Sequence, residues 1–404
     1  MKYLARRRGR LTSYVAVAVV FGLLISACGT SASSARATGK SGSYVIGSTS
    51  DLSSFLAFEG TGLRNGINGY VTYVNSHGGV NGHKINYVPL DDKSDPATGA
   101  ANVTQLATVD HASAVLGWGL SDVLVGALPE LQRYHLSVIG QALVGSMVHP
   151  PKPGLVSAEL IISSEAGLIA NFAEKRLVHT AHPTVAFVTY NSSVDVHFRT
   201  NLVSIAKAQG WNVVSNLVMS LSATSYSAQV NALTAAKPDF IITSVVDPAL
   251  IGIVSGIRQA GMTTTPVVNY DGGSAYGTLQ HLNDPNVYVV RPFSFPTDTQ
   301  LPGIGTFDAA EKAVGADPAA PFVINGYTQA MIAVATLRKC GYPCSPQKFT
   351  ASLDSLGSVN TGGVTVAPVI IDSSTHTLTH GVIYGWNPSK HAPYRASAVL
   401  STAS

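Results

Sequence analysis

A rhythm constrains this chain more than any single motif. From residue 44 to about 290, short Val- and Ile-rich runs alternate with helix-like stretches. Strand-like runs lie at 44–47, 84–90, 114–117, 137–140, 185–189, 212–217, 240–244, 267–269 and 287–290. Apolar residues at helical spacing predict helices at 66–74, 122–133, 164–177, 196–209, 227–236 and 248–260. Another is expected from Asp95-Pro96, where Asp95 caps free N–H groups and Pro96 suits the first helical position. Near-continuous apolar strands, each followed by a helix, mean parallel sheets covered on both faces. A further helix is expected at 323–337 and an extended stretch at 364–371.

The rhythm restarts after Pro150-Pro151-Lys152-Pro153, where one complete doubly wound unit ends and another begins. About 360 residues follow the N-terminal region, more than one ordinary core holds. The expected fold class is α/β: two doubly wound parallel-sheet lobes joined by a multi-strand hinge. Lobe 1 takes residues 44–155 and 290–358, and lobe 2 takes 156–289 and 359–404. Two such lobes leave a cleft that closes on a small ligand by hinge motion.

Residues 1–27 carry Lys2, Arg6, Arg7, Arg8 and Arg10 but no acid, and residues 15–27 carry no charge. A basic start, a short apolar core and small residues at its end read as a secretion signal. The run is short of the roughly 20 apolar residues that span a bilayer. It ends Ile25-Ser26-Ala27-Cys28, which resembles the lipobox of bacterial lipoproteins and implies a lipid on Cys28. Residues 28–43 are expected to be a flexible tether: after Cys28 they are Ser, Thr, Ala and Gly with an occasional base. The expected location is the outer face of the cell membrane.

Charge then reads differently. The leader holds five of the 25 basic residues and none of the 22 acidic ones, so the remainder is net −2. That argues against a nucleic-acid partner. Export also permits disulfides. Cys340 and Cys344, spaced C-x3-C at a helix end with Gly341 and Pro343 between them, are expected to form a structural staple. A metal or redox pair is the alternative; no His neighbours them, and the spacing is not C-x-x-C.

Several segments in order resemble the type I periplasmic binding proteins, in the branch of the branched-chain amino acid receptors of ABC importers. They are VNSHGGVNGHKINYVPLDDKSDPATGAANVTQL at 74–106, AVLGWGLSD at 114–122, the helix–strand–helix at 226–262, and NTGGVTV at 360–366 with His376. The resemblance implies a lipid-anchored receptor that captures a small polar or amino-acid-like solute and delivers it to an ABC permease. A lipoprotein that senses a ligand and signals to a membrane receptor is the alternative. The resemblance places a ligand carboxylate at the N-terminus of the helix near Asp122, with the Ser121 hydroxyl and the backbone at Gln141 and Ala142 around it. Helix N-termini hold anions, which agrees with this. Ser121 also reads as an ordinary helix cap. Asp271 stands where family members place an acid for a ligand ammonium, and also where a turn Asp before Gly is common.

Two positions depart from the family. Val194 occupies the place of a ligand-stacking Tyr, with Tyr190 nearby, and Leu143 replaces a Thr. Trp118, Phe58, Tyr190 and Tyr276 are therefore candidate walls for a larger or more apolar solute. No catalytic constellation is expected: G-x-S-x-G and H-E-x-x-H are absent and the twelve His are scattered. No metal or cofactor is called for.

Overall fold

The computed structural model describes residues 42–141 and 145–402. Chain order in the first half is β1 (Ser43–Ser50), α1 (Ala57–Ser76), β2 (Lys84–Asp91), α2 (Pro96–Thr108), β3 (Ala114–Gly117), α3 (Ser121–Arg133), β4 (Ser137–Gly140), α4 (Gly145–Val148) and β5 (Leu155–Ser157). These strands form one all-parallel sheet in the order β2-β1-β3-β4-β5. Every residue of β3 and β4 is buried, as strands covered on both faces require. Asp95 caps α2, accepting from the Thr98 N–H at 2.7 Å with Pro96 at the first helical position.

The chain then crosses over and repeats the pattern: α5 (Ile162–Arg176), β6 (Thr184–Tyr190), α6 (Ser193–Gln209), β7 (Asn212–Met219), α7 (Ser227–Ala236), β8 (Phe240–Ser244), α8 (Asp247–Gln259), β9 (Val267–Asn269), α9 (Tyr276–Leu282) and β10 (Val287–Arg291). Strands β7-β6-β8-β9-β10 are parallel and wound in the same order as the first sheet. The chain crosses back to α10 (Pro302–Ala313), α11 (Val323–Cys340) and α12 (Pro346–Asp354), which pack on the first sheet and α1. A small ladder, β11 (Gly357–Val359) with β12 (Val369–Ile371), leads to the third crossing. There β13 (His380–Asn387) and β14 (Ala392–Arg395) extend the second sheet in antiparallel fashion, and β15 (Leu400–Ser401) pairs with β13.

Two expected elements change. The first helix starts at Ala57 rather than near 66, because its glycines are contact points rather than breakers. The expected extended stretch at 364–371 is strand only at Val369–Ile371. It is preceded by a turn in which Gly362 and Gly363 take positive φ. Cys340 and Cys344 are joined by a disulfide with their Cα atoms 5.8 Å apart, and the Ser113 hydroxyl donates to the Cys344 carbonyl at 2.8 Å. Among the described residues no helix is long and apolar enough to cross a membrane. Cys28 and the leader lie outside the described residues.

Candidate functional site

In a doubly wound sheet the strand order reverses direction at one point, and a crevice opens there beyond the carboxyl ends of the strands. Here that point falls between β1 and β3 in the first lobe and between β6 and β8 in the second. A cleft of about 780 Å³, including its solvent-open part, lies between them. Its walls come from the segments after β1 (Leu56, Glu59), β3 (Gly119 to Asp122), β4 (Gln141), β5 (Glu159 to Glu165) and β6 (Tyr190 to Asp195). Leu221, Val246, Tyr270 and Gly272 follow β7, β8 and β9, and Phe322 closes the side at the start of α11. Both lobes reach across the mouth: the Ser193 hydroxyl donates to Asp122 Oδ1 at 3.1 Å.

Five carboxyls line the cleft, Glu59, Asp122, Glu159, Glu165 and Asp195, and no Lys, Arg or His is among the lining residues. Four of the five occupy the first turn of a helix: Glu59 in α1, Asp122 in α3, Glu165 in α5 and Asp195 in α6. Glu159 sits in the first crossing between lobes, where its carbonyl accepts from the Leu378 N–H at 3.1 Å and the Thr377 hydroxyl at 2.8 Å. Its carboxyl accepts from the side-chain amide of Asn325 at the start of α11.

Burial dominates the electrostatics. It pushes the Glu59 carboxyl well above the usual range, reinforced by the neighbouring Glu159 carboxyl and opposed by a hydrogen bond from the Gln141 amide. Burial, with Asp271 beside it, lifts Glu159 to about 8. Glu165 is raised well above normal by burial and then by Asp271, although it accepts the Asp271 N–H at 2.8 Å. Asp195 is raised by burial, against hydrogen bonds from Ser192 and from Ser244 at 2.5 Å.

The sequence-derived candidates divide. Ser121 and Gln141 line the cleft, and so does Tyr190, whose hydroxyl accepts the Val246 N–H at 3.3 Å. The N-terminus of α3 opens there with Leu120 in the capping position and no capping side chain, so Ser121 begins the helix instead of capping it. Asp271 and Tyr276 belong to an adjoining cavity, which shares Gly272 and Phe322 with the cleft. There Asp271 Oδ1 accepts from the Ser274 hydroxyl at 2.8 Å, and Ser274 accepts from the buried Arg291 at 2.7 Å. Tyr276 packs edge-on against Phe295 and Trp386. Trp118 is fully buried in the core of the first lobe, at a positive φ of 65° immediately after β3, and does not reach the cleft wall. Phe58 lies behind the wall against Phe322, 6.1 Å between ring centroids. Ala142 and Leu143 lie outside the described residues.

Sequence reasoning passed over Glu59, Glu159, Glu165, Asp195, Asn325 and Phe322. A signal for the acids existed: charged residues are only 12% of the chain, yet Glu59, Glu159 and Glu165 interrupt stretches otherwise apolar or small. A charge in such a stretch is costly unless it has a task.

Residues 43–385 match the periplasmic binding protein family. This chain belongs to that family. No curated protein matches the chain by sequence. Among solved structures, the branched-chain amino acid ABC transporter protein of Thermus thermophilus with bound valine superposes at a TM-score of 0.79 with 13% identity, covering 89% of this chain and 97% of that one. An R. palustris ABC transporter solute-binding protein in complex with 4-hydroxybenzoate gives 0.76 with 17% identity, covering 89% and 97%. The branched-chain amino acid binding protein of Streptococcus pneumoniae with isoleucine gives 0.75 with 19% identity, covering 89% and 100%. The fold is the type I periplasmic binding protein fold, in a family of extracytoplasmic solute-binding proteins of ABC transporters.

Proposed function

We propose that this periplasmic binding protein captures a small polar or amino-acid-like solute in the cleft between its lobes. It then hands the solute to an ABC permease while a lipid on Cys28 holds it at the membrane. The observation that carries the reading is the position of the cleft: the carboxyl ends of two identically wound sheets face each other across it. Three crossings join the lobes, which suits hinge closure. The N-terminus of α3 with Ser121 offers donors to an anionic group, and Glu165 with Asp271 offers acceptors to an amine. The leader and Cys28 support the tether, which keeps a receptor at high effective concentration beside its permease.

The test is a thermal-shift panel of amino acids, amides, urea and aromatic acids on the purified protein, with a Cys28→Ala chain fractionated beside it. A ligand should raise the melting temperature by mass action, and the Cys28→Ala chain should move from the membrane to the soluble fraction. A panel without any shift would remove the solute-capture reading. A Cys28→Ala chain that stays with the membrane would remove the anchor.

A further inference from the structure

The charge balance of the cleft goes further than solute capture. A helix N-terminus carries about half a positive charge. Four helices line this cleft with their first turns and supply roughly +2 in total, and α8 and α11 reach it with their capping residues Val246 and Phe322. Each of those four first turns already has an acid of its own, whereas that of α11 has none. Glu159 is a fifth carboxyl, held by Asn325 in the first turn of α11. The wall therefore offers carboxyls and no basic side chain: burial favours their protonated form, and a bound cation would favour the charged one. Arg291, the buried cation nearby, belongs to the adjoining cavity, where it serves Ser274 beside Asp271.

A second observation does not depend on the charge count. Gln141 is 2% exposed and lines the cleft, yet its Oε1 has no hydrogen-bond partner among the described residues. Its amide N–H donates to Glu59, so the oxygen is the end left over. Asp271, 6% exposed in the adjoining cavity, has an unpartnered Oδ2. Both of these atoms are acceptors; the adjoining cavity also holds one orphaned donor, Arg291 Nε, whereas the cleft itself holds only the Gln141 acceptor among the described residues. A buried acceptor without a donor is destabilising, and a ligand rich in N–H groups would recover that loss. The remaining wall suits what joins such groups: Leu56, Leu160, Val246 and Phe322 are apolar, and the Tyr190 and Tyr270 rings favour a cation near their faces.

We propose that the cleft selects solutes carrying two cationic nitrogens joined by a short apolar spacer. One nitrogen is held at Glu59, Gln141 and Glu159, and the other at Glu165 towards Asp271. The inference rests on the solute-capture reading and narrows its ligand class. Two sources supply this chemistry, a free diamine and a basic amino acid. They differ in whether the α3 N-terminus also receives a carboxylate.

The experiment is titration calorimetry on the purified full chain with 1,4-diaminobutane, lysine, leucine and 4-hydroxybenzoate. Diaminobutane or lysine should bind at least 100-fold tighter than leucine or 4-hydroxybenzoate. The tighter of the two names the source. Glu59→Gln and Glu159→Gln should each weaken the dication at least tenfold. Neither variant should lower the melting temperature, because a neutral amide replaces a buried acid of similar shape. Glu311→Gln, on α10 away from the cleft, should leave binding unchanged. Leucine or 4-hydroxybenzoate binding as tightly as the dications would overturn this inference and leave solute capture standing. Silence from all four ligands would overturn it as well.

Discussion

Glu159 and Glu311 each hold a carboxyl proton up to about pH 8, by different routes. Glu159 is raised by burial and by negative Asp271, and Glu311 by burial alone, with neither carboxylate oxygen hydrogen-bonded among the described residues. An unfolded chain releases these protons near the ordinary carboxyl pKa of about 4.3. Between that value and about 8 the folded state binds more protons than the unfolded state, so its stability falls as pH rises. The ligand-free protein should lose melting temperature steadily from pH 5.5 to 8. Glu311→Gln should remove part of that slope, followed by calorimetry across the range. A flat profile in the wild type would show that these acids ionise freely in the folded state.

At the scale of elements, the contact between α1 and α11 shows why glycine positions misread locally. A Cβ at Gly66 would stand 1.9 Å from the Val323 carbonyl oxygen, and one at Gly326 would stand 2.1 Å from the Leu63 carbonyl oxygen. The two helices meet backbone to backbone, and their start positions follow from it. Gly66→Ala would force them apart against well-packed neighbours, a change that costs about 1–3 kcal/mol or more. Gly305→Ala on α10, where nothing lies within 4 Å, should be neutral or slightly stabilising. Urea unfolding of both variants makes the comparison, and equal midpoints would remove the close-packing account.

At the scale of the molecule, two lobes joined by three crossings meet at one described polar contact across the cleft mouth, Ser193 to Asp122 at 3.1 Å. Asp122 begins the α3 face and Ser193 begins α6, so closure brings two helix starts together. The pair Asp122→Cys with Ser193→Cys should form a disulfide that traps bound solute. Stopped-flow release should then slow at least tenfold and recover on reduction. Release unaffected by oxidation would mean that these two starts do not gate the cleft.

Much of this architecture was legible beforehand because its causes are local. Short apolar runs favour strands, Asp95-Pro96 starts a helix, and repeated strand–helix units admit parallel sheets wound with few topologies. That reasoning reaches the fold and the position of α3, while it is the family resemblance that points to Ser121, Gln141 and Tyr190, which line the cleft. It did not reach the acids. Glu59, Asp122, Glu165 and Asp195 each look like the ordinary acid of a helix first turn, and Glu159 looks like a charge in a connector. Only the tertiary structure brings them to one cleft and buries Glu59, Glu165 and Asp195 there, because burial depends on which strand ends face one another and not on neighbours along the chain. The same non-locality puts Trp118 in the core and sends Asp271 towards Arg291, although both lie within a few residues of the cleft wall in sequence.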